Sequence, residues 1–283
     1  MTSSTAPSID LPAAVAEELD ASFALSDAQK QQFREDGFIK LSNFFSPELL
    51  AFFDPVITQL TFDHNPNKGM ADKDKNTYDR AFIQVGNLWE KDDIARALVF
   101  SKRAARAAAE LLDVGGVRMY HDQALYKEPA GGFTPWHVDQ HYWPMDTGKS
   151  VTLWFPFTAV PLDMGPLCFG RGSHLRHIAR DIAISDESER LIQAEIKKHK
   201  ILEVFEPYAL GEVSFHYGWT LHRAGGNSTD QARRVQTVIY MDQDMRLIEP
   251  QREAHHNDWS DWTPGTQIGE VMDSPKNPVL YSF

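Results

Sequence analysis

The stretch Thr134-Pro135-Trp136-His137-Val138-Asp139-Gln140-His141-Tyr142-Trp143-Pro144 carries an imidazole and a carboxylate two positions apart. On a β-strand alternate side chains share a face, so His137 and Asp139 would project together and Val138 away from them. One histidine and one carboxylate on a strand face are two members of the 2-His-1-carboxylate set that holds non-haem Fe(II) with open positions. The spacing alone is not specific, because His256-Asn257-Asp258 repeats it. Only the earlier pair has room downstream for later strands that return a third ligand.

The candidate third ligand is His222, in Trp219-Thr220-Leu221-His222-Arg223-Ala224-Gly225-Gly226-Asn227. It lies 85 residues beyond His137, which puts it on a different strand, just before a Gly-Gly-Asn turn. Eleven residues further on, Arg233 and Arg234 open the run Arg-Arg-Val-Gln-Thr-Val-Ile-Tyr-Met. Strand parity sends one of them inward, and a guanidinium inside an apolar barrel calls for an anion. Its planar fork suits a carboxylate. Parity does not say which arginine points inward, and two solvated strand-end arginines are the alternative.

The elements that must position these groups fall into two halves. Residues 1–10 are rich in Ser, Thr and Pro and predict a disordered or loosely docked start, with a short acidic helix from Leu11 to Ser22. Ser26-Asp27-Ala28-Gln29 is a capping-box pattern for a helix ending near Gly37. Phe38–Leu41 reads as a short strand, and Ser46-Pro47 opens a helix through about Leu60. Residues 61–80 read as a mobile loop, and 92–113 carry one long amphipathic pattern stopped by Val114-Gly115-Gly116. After Gly116 the period becomes two. Val117–Lys127, Thr134–His141, Ser150–Val160, Gly211–His216 and Arg233–Met241 are strand candidates, interrupted by a charged helix over Ser185–Lys200. Helices first and short strands later predict a mainly β protein, a barrel or jelly roll with helical additions. With no linker or repeat, residues 26–283 form a single domain and residues 1–25 a flexible or loosely packed N-terminal segment.

Composition narrows the class. The 283 residues are 42% hydrophobic, enough for a sizeable core, and 7 Trp with 17 Phe suit either that core or an aromatic-lined pocket. The net charge of −12 argues against a nucleic-acid partner. One cysteine, Cys168, leaves no intrachain disulfide. No run is apolar enough to span a bilayer, and Met1–Asp10 lacks the basic start and apolar core of a signal peptide, so a cytoplasmic protein acting on a small molecule is expected.

In order, the chain reads His137-x-Asp139-x-His141-Tyr142-x-Pro144, Trp154, Met164-Gly165-Pro166-Leu167, Arg171-Gly172-Ser173-His174, His222 and Arg233. That combination resembles the phytanoyl-CoA dioxygenase family of Fe(II)/2-oxoglutarate oxygenases. Phe82–Trp89, Gly211-Glu212-Val213 and the tail Asp273–Pro278 extend the likeness over about residues 28–283. The resemblance implies a double-stranded β-helix core of the cupin-like, jelly-roll kind. It implies that His137, Asp139 and His222 hold Fe(II), that Arg233 grips the distal carboxylate of 2-oxoglutarate, and that Trp154 lies beside that cosubstrate. O2 is the oxidant, and hydroxylation the default outcome, because Asp139 fills the position that halogenating relatives leave to chloride. Two departures stand out. Arg171 replaces the usual proline of Pro-Gly-Ser-His, which changes only a turn, and Ser173 and His174 are read as structural. Ala224 stands where some members place a serine that helps hold 2-oxoglutarate, leaving that contact to Gln123 or Thr152.

For the substrate, Gln84, Asn87, Tyr142, Trp143 and His216 are candidate contacts, with residues 61–90 and 242–262 as walls or lids. The acidic balance argues against an acyl-CoA, whose phosphates would want a basic patch. Desaturation, epoxidation or ring rearrangement use the same triad. A metal-free barrel, or one holding Zn for hydrolysis, is the competing reading. Arg233 separates these, since a hydrolase has no need of a buried cationic clamp.

Overall fold

A computed structural model describes residues 11–70 and 81–283. Local signals set the helical first half. Ser26 and Gln29 close a reciprocal capping box on α2 (Asp27–Asp36), and Gly37 ends it with φ 88°. Ser46 caps α3 (Pro47–Asp63) by accepting from the Leu49 N–H. The expected boundary at residue 25 does not mark a change in packing. α1 (Ala13–Asp20) buries Val15 and Leu19 in the main core, so the segment from Leu11 is part of the domain rather than loosely attached. Residues 1–10, and the 71–80 part of the expected loop, lie outside the described residues.

The single helix expected over 92–113 is two: α4 (Asp93–Val99) and α5 (Lys102–Leu112). Ser101 makes the break, because its hydroxyl caps α5 at the Ala104 N–H and donates to the Leu19 carbonyl. The apolar stripe continues across a break that periodicity does not register.

Two antiparallel sheets follow. The major sheet runs β1 (Phe38–Leu41), β8 (Val213–Tyr217), β5 (Ser150–Pro156), β10 (Arg233–Asp242), β3 (Gly116–Lys127), β11 (Val279–Ser282), with β2 (Ile83–Gly86) also paired to β3. The minor sheet runs β4 (Thr134–His137), β9 (His222–Ala224), β6 (Leu167–Gly170), β7 (Glu203–Phe205). This is a mainly β, jelly-roll core flanked by helices. Leu153, Phe155, Phe215, Ala124 and Val238 point from the major sheet into a core shared with α1 to α5. The alternate residues Trp154 and Val235 face inward and pack with Leu167, Phe169 and Ala224 of the minor sheet. α6 (Asp186–His199), capped by Ser185, covers β4, and α7 (Glu253–Trp262) follows β10.

Two predicted strands are shorter than expected. β5 stops at Pro156, and β4 stops at His137, after which Asp139–His141 forms a 3₁₀ turn. Gly165 joins the sheets. It has φ 74°, and a Cβ there would lie 2.3 Å from the Gly225 carbonyl oxygen. Gly165→Ala is therefore expected to lower stability by about 2 kcal/mol or more, seen as a reduced midpoint in urea unfolding; an unchanged midpoint would contradict the close approach.

Candidate metal centre and cavity

β4 and β9 run antiparallel with His137 directly opposite His222, and the two rings are 4.1 Å apart between centroids. Cross-strand pairing alone thus brings together imidazoles 85 residues apart in the sequence. Asp139 keeps the alternation although β4 has ended. Val138 is still extended (φ −126°, ψ 134°) and packs with Trp136 on the opposite side, and Asp139 opens the 3₁₀ turn on the side of His137.

One ligand atom from each of His137, Asp139 and His222 lies within 4.8 Å of the others. Asp139 Oδ1 is 3.5 Å from His137 Nε2 and 3.4 Å from His222 Nε2. The far side of each ring is fixed: His137 Nδ1 lies 2.8 Å from the Pro135 carbonyl and His222 Nδ1 3.0 Å from the Thr220 carbonyl. A carbonyl only accepts, so in the neutral form of each ring Nδ1 carries the hydrogen and Nε2 turns its lone pair to the centre. The other oxygen of Asp139 is occupied. Its Oδ2 accepts from Thr152 Oγ1 at 2.9 Å and from His216 Nε2 at 3.2 Å, leaving Oδ1 as the inward ligand. Burial opposes ionisation of Asp139, but its contacts with His222, His137 and His216 outweigh it and hold the carboxyl well below its ordinary range. Burial, and then the neighbouring His222, lower His137, which keeps it neutral. Two fixed lone pairs and an ionised oxygen fit a divalent cation.

The centre opens into a cavity of about 400 Å³. Arg233 lies at one end of it, 2% exposed, with Nη1 donating to the Gly165 carbonyl and Nε without a partner. No carboxylate pairs with Arg233 among the described residues. Its guanidinium carbon is 5.6 Å from the Trp154 ring, and burial lowers its pKa to about 10, leaving it charged. Arg234, one position on, turns outward to Asp54 at 3.0 Å, which settles the parity left open by the sequence. Beside Arg233, the buried Lys127 donates to the Gly132 and Gly225 carbonyls; burial, then Arg233, push its pKa down to about 6.

Of the other sequence candidates, Gln123 and Gln84 line the cavity. The Thr152 hydroxyl is committed to Asp139 instead of a cosubstrate, and His216 likewise touches Asp139. Tyr142 and Trp143 line the wall, with the Tyr142 hydroxyl accepting from the Ile184 N–H at 2.8 Å. Asn87 is buried and absent from the cavity lining; its amide donates to Glu90, and at φ 48° it holds the turn after β2. Ser173 donates no site contact either; its hydroxyl accepts from the Leu221 N–H, one residue before His222. Sequence reasoning missed His121, and it named the 242–262 wall without singling out Asp258 and Asp261; all three line the cavity. Strand parity held the signal for His121, two residues before Gln123, while Asp258 was set aside as an accidental repeat of the His-x-Asp spacing.

A jelly roll with two histidines and a carboxylate between its sheets defines a class of metal-site oxygenase folds. The comparisons place the chain within it. Residues 33–235 match the family model described as Phytanoyl-CoA dioxygenase (PhyH), and the chain belongs to that family. It is 24% identical over 304 residues to the Mus musculus protein named Phytanoyl-CoA dioxygenase domain-containing protein 1, covering 91% of this chain and 99% of the mouse protein. The fold matches the non-heme alpha ketoglutarate dependent carbocyclase SnoK from nogalamycin biosynthesis, with TM-score 0.73 and 23% identity over 90% of this chain and 96% of SnoK. It also matches the epimerase SnoN in complex with Fe3+, alpha ketoglutarate and nogalamycin RO, with TM-score 0.73 and 22% identity over 90% and 98%.

The hydrogen bonds to Asp139 Oδ2 generate a test. Thr152→Val and His216→Phe are each expected to weaken divalent-metal affinity by about 10–100-fold, measured by Co(II) titration of protein whose circular dichroism is unchanged. Wild-type affinity in both variants would mean that Asp139 needs no such support.

Proposed function

We propose that this protein is an Fe(II)- and 2-oxoglutarate-dependent oxygenase that hydroxylates an unactivated C–H bond of a small-molecule metabolite or natural-product intermediate. The observation that carries the reading is the pairing, in one cavity, of three metal-ligating side chains with a buried guanidinium that has no protein anion. The overall reaction balances as R–H, O2 and 2-oxoglutarate giving R–OH, succinate and CO2.

His137 and His222 through Nε2, and Asp139 through Oδ1, would hold Fe(II), which supplies the one-electron and O2 chemistry that no side chain provides. Arg233 would take the distal carboxylate of 2-oxoglutarate through its unpaired Nε and remaining N–H groups. Trp154 lies against the guanidinium and limits water on that side, which strengthens the ion pair. Thr152 and His216 keep Asp139 from rotating. Gln123 remains the candidate for a second contact to the cosubstrate.

The charges around the cavity support a small substrate over an acyl-CoA. Apart from Arg233, the lining holds one cationic side chain among the described residues, Arg223, and that is paired with Glu189. Among those residues a CoA moiety would meet no basic patch. SnoK and SnoN are named for ring formation and epimerisation, so product mass is the measurement that separates outcomes: gain of one oxygen for hydroxylation, none for the others.

Under argon, Fe(II) with 2-oxoglutarate is expected to give a visible charge-transfer band. Titrating that band, Arg233→Ala should raise the 2-oxoglutarate Kd at least about thirtyfold and Arg234→Ala less than about threefold. The reverse order, or no band in folded, metal-loaded protein, would overturn the reading.

A further inference from the structure

The end of the cavity remote from Arg233 carries a feature that 2-oxoglutarate does not use. In the register of β3 with β10, Lys127 faces Arg233 and His121 faces Ile239, six residues along the strand and roughly 20 Å away at the usual rise. At that end α7 presents Asp258, Asp261 and Trp262 to the cavity from one helical face. Asp258 Oδ2 accepts from the Tyr120 hydroxyl at 2.9 Å. Among the described residues, neither Asp258 nor Asp261 has a cationic partner for its side chain. Lys276, the nearby ammonium, is held by other groups than the two carboxylates: its Nζ donates to the Asp261 backbone carbonyl at 3.0 Å, pairs with Glu90 at 3.5 Å and lies 6.0 Å from the centroid of the Trp262 ring.

His121 is a separate sign that something binds here. Its side chain lines the same wall, is 3% exposed, and has no partner at Nδ1. Burial pushes its pKa down to about 4, so the ring is neutral. Its centroid is 4.7 Å from that of Trp262, and Tyr142 and Trp143 continue an aromatic wall. Trp262 is tightly seated: a Cβ on Gly86 would fall 2.8 Å from it. Carboxylates without cations beside aromatic faces and an idle imidazole form a site complementary to a positive charge.

We propose that this end of the cavity recognises a protonated amine, so that the substrate is a small cationic molecule whose ammonium sits against Asp258 and Asp261 while its carbon skeleton extends toward the triad. The inference rests on the oxygenase reading only for the word substrate; the cation site stands on its own residues. Burial holds the Asp258 carboxyl up at about 7, and a bound ammonium would favour its ionised form. The same two carboxylates would repel a phosphate or carboxylate at this position.

Three matched probes test this on the full chain: cyclohexylamine, cyclohexanol and cyclohexanecarboxylate. Binding is read from tryptophan fluorescence at pH 7, both metal-free and under argon with Fe(II) and 2-oxoglutarate. Cyclohexylamine is expected to bind at least about tenfold more tightly than cyclohexanol, with the carboxylate weakest. In the double variant Asp258→Asn, Asp261→Asn the amine's advantage should shrink to within about twofold, while the 2-oxoglutarate charge-transfer band persists. Asparagine keeps an acceptor for Tyr120, so the fold is expected to hold; circular dichroism checks it, and Asp261→Asn alone, at an exposed position, should already reduce the preference. An amine that binds no better than the alcohol, fails to saturate, or keeps its advantage in both variants overturns the cation site. If the band fails to form, the oxygenase reading falls, and the metal-free comparison still decides this one.

Discussion

Placing a carboxylate inside a protein costs several kcal/mol unless every oxygen finds a partner. Asp139 meets that condition in an asymmetric way. One oxygen is saturated by Thr152 and His216 on the major sheet, and the other faces two imidazoles on the minor sheet. The carboxylate is thus the point at which the two sheets agree on their separation. Much of the surrounding structure follows from it: the end of β4 at His137, the 3₁₀ turn over Asp139–His141, and the placing of Thr152 and His216 side by side on the inner face.

The candidate ligands His137, Asp139 and His222 were legible in the sequence because they are chemically distinctive and ordered. The alternation expected of His137 and Asp139 persists past the end of β4: Val138 is extended and packs with Trp136 on the opposite side, and Asp139 opens the 3₁₀ turn. Arg233 and Arg234 were indistinguishable by type; only the Asp54 partner on α3, 180 residues earlier, separates them. β2, β6, β7 and β11 were not read as strands, since runs of three or four residues carry little alternation. Asn87, a buried amide holding a left-handed turn, looks in sequence like a polar group awaiting a ligand. The 242–262 segment was expected as a wall, but nothing local in the sequence links Asp258 to His121 in the middle of β3.

The two ends of the cavity have opposite character. Around Arg233 the wall is a guanidinium against an indole; around α7 it is carboxylates against indole and imidazole. A molecule with a negative and a positive terminus would be oriented by this gradient, and two different molecules would be sorted to opposite ends with the triad between them.

Lys127 shapes the positive end in a way its position does not announce. Its amine reaches just two acceptors, the carbonyls of Gly132 before β4 and Gly225 after β9. An uncharged amine has two hydrogens, so the count of donors equals the count of acceptors without a third proton. With its pKa near 6, Lys127 at neutral pH is mostly a knot tying two loops and contributes little electrostatic pull. The positive charge at that end of the cavity then rests chiefly on the single guanidinium of Arg233.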